Sequence, residues 1–145
     1  MGPATEGWFE RLDGLFGLFA RGDDKEFLVN CHDGLVLNVR GTAGLASFVP
    51  RSQIPSWRRS THQLAGGKFR SSVCFIVVTD HAGIVVLTHT IERHTTILRY
   101  ETVNHCTLRD DLLATWFSYP LIAADYTRAW GLSRESRTRA ELLPG

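Results

Sequence analysis

The sequence has 145 residues, 43% of them apolar, with 16 basic and 15 acidic side chains and a net charge of +1. That length suits one domain with a sizeable core, and the apolar content excludes a disordered chain. No apolar run approaches the roughly 20 residues a membrane helix needs, and a near-neutral chain sets up no strong field for nucleic acid or an anionic membrane. Neither is therefore expected as a partner.

The segment "MGPATEGWFERL" lacks the basic region before an apolar stretch that marks a secretory signal, and it is a poor myristoylation match. A cytoplasmic location is expected. The three cysteines, Cys31, Cys74 and Cys106, are odd in number and lack CxxC spacing, which argues against a disulfide framework and a zinc site. Cys74 and Cys106 lie within apolar strands and read as small buried hydrophobes.

Residues 5–21 read as an amphipathic helix with Trp8, Leu12, Leu15, Phe16 and Phe19 on one stripe, Thr5 as N-cap and Gly22 as the stop. Gly14 and Gly17 each weaken it by about 1 kcal/mol. "DDKEFLVNC" restarts as a second short helix with acidic residues in its first turn. Asp33-Gly34 turns into a short strand over Leu35–Arg40, and "TAGLASFVP" reads as an irregular apolar loop. A third helix follows from near Gln53, with Ile54, Trp57 and Leu64 on its inner face and Gly66-Gly67 as its stop.

The period then changes to that of strands. "KFRSSVCFIVVTD", "IVVLTHTIE", "ILRYETVNHCTL" and "LLATWFSYP" are joined by the turns "DHAG", "RHTT" and "RDD", and "IAADYTRAWG" closes with a brief helix. Residues 1–131 form one domain, and 132–145 a polar tail. Helices followed by an antiparallel meander define an α+β class. Four long strands must twist, giving a cone-shaped barrel of curved antiparallel sheet around about three N-terminal helices, with an apolar central cavity.

The element order resembles the nuclear transport factor 2-like superfamily, and most closely its SnoaL-like polyketide cyclase branch. The likeness rests on "LFARGD" closing the first helix, "LVLNVRG" before the apolar loop, "GGKFRSSVCFIVV", and the strand–acidic turn–strand ending "ILRYETVNHCTLRDDLLATWFSYP". It covers about residues 8–130. It implies a cofactor-independent enzyme that closes a ring in a hydrophobic polyketide during natural-product biosynthesis, as a homodimer formed through the outer sheet face. Val103, Val85, Leu87 and Ile91 are candidates for that face. The fold also hosts binders, isomerases and dehydratases, so a non-catalytic binding protein is a second reading.

In that branch a catalytic carboxylate stands where this sequence has Asn104, which hydrogen-bonds but cannot exchange a proton. A register slip of one residue would put His105, a competent acid/base, there instead. Strand alternation favours Leu98, Tyr100, Thr102, Asn104 and Cys106 facing inward, with Arg99, Glu101, Val103, His105 and Thr107 outward. The candidate catalytic residues are Asn104, Tyr100 and His105. The candidate substrate-binding residues are Phe16, Leu12, Trp57, Thr102, Cys106, Trp116, Tyr119 and Leu98. Each aromatic among them is also an ordinary core candidate. His89 and His94 lack carboxylate companions at ligand spacing, so no metal site is expected. Residues 42–50 are a candidate lid. A ring closure that needs no proton transfer, such as a [4+2] cycloaddition, suits a pocket without an acid.

Overall fold

The computed structural model describes residues 4–40 and 47–131. The order is α1 (Trp8–Arg21), α2 (Asp24–Val29), β1 (Val36–Val39), β2 (Ser47–Pro50), a 3-10 turn (Arg51–Gln53), α3 (Ile54–Leu64), β3 (Lys68–Val78), β4 (Gly83–Arg93), β5 (Thr96–Arg109), β6 (Leu112–Pro120) and α4 (Ala123–Ala129). The polar tail over 132–145 and most of the candidate lid, residues 42–46, lie outside the described residues.

The six strands form one sheet in the order β2-β1-β6-β5-β4-β3. The meander β3–β6 is antiparallel, as its turns require. The sheet is nevertheless mixed, because β1 runs parallel to β6 with Leu37 opposite Trp116. It is also open, with β2 and β3 as edges, so the expected barrel is a curved α+β half-cone. The end of the loop expected over 42–50 is a strand instead: Ser47–Pro50 pairs antiparallel with β1. Neither β1 nor β2 exceeds four residues; β2 pairs with β1 alone, and β1 is anchored by β6, far along the chain.

Local chemistry explains the main boundaries. α1 ends in a Schellman motif: Gly22 sits at φ 78°, its N–H donates to Phe19 O at 3.1 Å, and Asp23 N–H donates to Leu18 O at 3.0 Å. At the other end Gly7, not Thr5, occupies the N-cap. The Thr5 hydroxyl donates to Thr79 O at 2.7 Å, tying the start of the chain to the β3–β4 turn. The β5–β6 turn places Asp110 and Asp111 at φ 52° and 64° between paired Arg109 and Leu112, the left-handed pair of a two-residue hairpin.

The main core lies between α1 and the sheet and includes Leu12, Phe16, Phe27, Val85, Leu113 and Trp116. α1 approaches β4 closely: a Cβ added at Gly83 would strike Leu12 Cδ1. Cys31 and Cys106 are buried there, and burial pushes the Cys31 thiol up to about 12 and raises that of Cys106. Cys74 is exposed, not buried, because a register shift between Val73 and Phe75 turns it outward. On α3, Ile54 is buried but Leu64, expected on the inner face, is 72% exposed; at that end of the helix His62, against Phe69, and the buried Ala65 face the sheet instead. No helix among the described residues is long and apolar enough to cross a membrane.

Candidate functional site

The inner face of β5 alternates as its sequence dictates. Tyr100, Thr102, Asn104, Cys106 and Leu108 are buried, while Arg99 and His105 are exposed. The lower part, from Cys106 onward, is covered by α1 and filled. The upper part faces a cavity of about 430 Å³ beneath α3 and α4. Trp57, Phe69, Tyr100, Trp116, Tyr126 and Trp130 give it an aromatic wall. Tyr100 stacks on His89 at 4.8 Å and meets Tyr126 edge-on at 5.3 Å.

Sheet register draws a hydrogen-bonded band across four strands at the floor of this cavity. Trp116 Nε1–H donates to Asn104 Oδ1 at 2.7 Å. An indole N–H only donates, so it fixes which amide atom is oxygen. Asn104 Nδ2 then donates toward Thr102 Oγ1 at 3.0 Å and Val85 O at 3.1 Å, with Thr102 O at 3.3 Å. Thr102 Oγ1 lies 2.8 Å from His89 Nε2, and His89 Nδ1 lies 2.7 Å from Ser71 Oγ. A hydroxyl has one donor and two acceptor sites, so Thr102, with Asn104 donating to it, and Ser71 pair with the two ring nitrogens of a neutral His89 in either tautomer.

Asn104, 1% exposed, thus has both its amide nitrogen and its carbonyl oxygen engaged. It is a clamp rather than a free group. His89 is neutral: burial, with a smaller effect from His62, pushes it down to about 3. Tyr100 keeps its proton well beyond the usual range, mainly through burial. The Trp130 indole N–H nearby slightly favours its phenolate without reaching hydrogen-bonding geometry, and that N–H is buried without a partner among the described residues. Burial likewise pushes Tyr126 up to about 12. At the mouth, His62 is held below its ordinary value by burial and Arg58, against Asp24. No carboxylate lines the cavity among the described residues, and no three His, Cys, Asp or Glu side chains there converge on a point.

Of the residues singled out from sequence, Asn104, Tyr100, Trp57, Thr102 and Trp116 line the cavity. His105 does not: the register slip that would bring it inward does not occur, and it is exposed on the outer face. Leu12, Phe16 and Cys106 belong to the filled core. Leu98 packs beside Tyr100 and Tyr126 behind the wall. Tyr119, 43% exposed, points outward, opposite Val103. Val85, Leu87 and Ile91, expected on an outer face, point inward and are buried. That parity error also hid His89, which follows Leu87 by two residues and shares its face. Tyr126 and Trp130, one helical turn apart at the C-terminal helix, carried no signal beyond their spacing.

No protein-family model matches this sequence, and comparison with curated proteins finds no significant match. Solved structures do match. Bal32a from a soil-derived mobile gene cassette superposes with a TM-score of 0.71 at 15% identity, over 83% of this chain and 94% of that one. TerC, co-crystallised with polyporic acid, gives 0.69 at 14% identity over 84% and 96%. An NTF2-like protein of Burkholderia xenovorans LB400 gives 0.63 at 16% identity over 83% and 92%. The protein therefore has the nuclear transport factor 2-like fold, which upholds the resemblance read from its element order as a likeness of fold.

Proposed function

We infer that the protein is a cofactor-independent cyclase acting on a hydrophobic polyketide intermediate in natural-product biosynthesis. The observation that carries this reading is an aromatic cavity whose polar wall, at its floor, is neutral and hydrogen-bonded. Such a wall holds a flexible apolar chain in one conformer without offering a strong acid or base, and proximity alone contributes several kcal/mol, up to about 7–11, to an intramolecular closure. A pericyclic closure, a [4+2] cycloaddition, needs no proton transfer and fits these residues. Trp57, Trp116 and Thr102 shape the substrate. Tyr100, protonated at all working pH values, donates to a substrate carbonyl as charge develops on it. Asn104 acts by holding Trp116 and Thr102 in place.

The engagement of Asn104 by its neighbours also favours a second reading, a binding protein that sequesters the same class of compound without turnover. Incubation with a linear polyenyl polyketide, followed by mass spectrometry and chromatography, separates the two. An isomer of unchanged mass and new retention time supports the cyclase; tight binding with no isomer leaves the binder. For the cyclase, Tyr100→Phe lowers turnover while His105→Ala leaves it unchanged. A bell-shaped pH–rate profile would overturn the proton-free route.

The partner we infer besides substrate is a second copy of the chain. Phe75, Val77 and Tyr119 are exposed on the outer sheet face beside half-buried Val103 and Phe117, a patch that favours being covered. Sedimentation at micromolar concentration checks this: a dimer is expected, converted to monomer by Val103→Glu.

A further inference from the structure

The cavity is not uniform from floor to mouth. Its floor is the neutral band ending in Trp116. Its mouth is α3, where Arg58 and His62 line the opening with the exposed Leu64. Among the described residues lining the cavity, Arg58 alone carries a formal charge at neutral pH, since His62 and His89 are both held toward the neutral form.

Arg58 is only partly neutralised. Its Nε approaches Asp24 Oδ1 at 3.4 Å, but Arg59 Nη1 approaches the other oxygen of the same carboxylate at 3.3 Å. One carboxylate thus faces two guanidinium groups and leaves an excess positive charge. Among the described residues no partner holds the Arg58 Nη nitrogens. The guanidinium lies against the backbone of Gly22, where a Cβ would meet Arg58 Nη2, and the carbonyl end of α1 favours a cation there.

We propose that Arg58 recognises a carboxylate on the ligand, so that the site takes organic acids with a large apolar body: the body against the aromatic wall, the acid at the mouth. This rests on the reading of the cavity as a small-molecule site and adds the chemical class of its ligand. The planar guanidinium offers two parallel N–H groups to a carboxylate, and Ser60 and Thr61 of α3 also line the cavity.

Titration calorimetry with two matched probes, anthracene-9-carboxylate and 9-anthracenemethanol, tests the proposal. The carboxylate is expected to bind about tenfold tighter or more, the range for a charge-assisted pair. In Arg58→Gln that preference falls below about threefold while the alcohol binds as before. Equal affinities in the unmodified protein, or a preference that survives Arg58→Gln, overturn the proposal and leave the small-molecule reading standing. If neither probe binds, both fall. Should Arg58→Gln not fold, raising ionic strength on the unmodified protein decides: the preference shrinks if it comes from the guanidinium, and an unchanged preference refutes it.

Discussion

β5 runs through two regions that differ in one respect only. Cys106 and Leu108 at one end, and Tyr100, Thr102 and Asn104 at the other, share the inner face and the same alternation. The first group packs under α1 in a solid core; the second borders empty volume. The difference lies in the covering helix. α1 presents Leu12, Leu15, Phe16 and Phe19 in an unbroken stripe and comes down onto Gly83. α3 has one fully buried residue, Ile54, and spans its part of the sheet without filling the space beneath. An inward residue becomes core or cavity wall according to what the opposite layer supplies.

The largest expected contrast breaks the two halves separately. Phe16→Ala, which removes a ring packed edge-on against Trp116 at 5.2 Å, costs about 3–5 kcal/mol in urea unfolding. Trp57→Ala at the cavity costs less, about 2 kcal/mol, because one side of its ring borders the cavity, but it abolishes binding of the anthracene probes. Equal losses would mean that the cavity side is as tightly packed as the core.

Next comes the floor. Asn104→Asp turns an amide donor into an acceptor facing Val85 O and Thr102 O. The variant is expected to lose roughly 3 kcal/mol at pH 8. The buried carboxyl has a raised pKa, so this loss shrinks as pH falls and the group protonates.

His89 sharpens the same region by its sign. Its folded value, about 3, lies below the unfolded value near 6.5. Its contribution is therefore full above pH 6.5 and lost as pH drops toward 3. Acidification from pH 7 to 5 costs about 2 kcal/mol from this group. Urea titrations of the unmodified protein and His89→Gln at both pH values isolate that slope, and its persistence in the variant would assign it elsewhere. The smallest effect belongs to the outer face: Tyr119→Ala changes monomer stability by less than about 0.5 kcal/mol and leaves probe affinity unchanged.

The sequence by itself determined the helices α1 and α3, the four long strands and their turns, and the parity of β5. Each of these is written in a local period or a local turn chemistry that needs no partner. It also pointed to Asn104 inside and His105 outside, since alternation along a long strand ties every residue to its neighbours. Tertiary structure alone decided the pairing of β1 with β6 and of β2 with β1, because four-residue strands carry too little pattern to declare a partner. It decided which face of β4 looks inward, and with that the place of His89. It decided, finally, that Phe16 and Leu12 fill a core while Trp57 and Tyr100 border a cavity. Periodicity says which way a side chain points, and only the opposite layer says what it meets there.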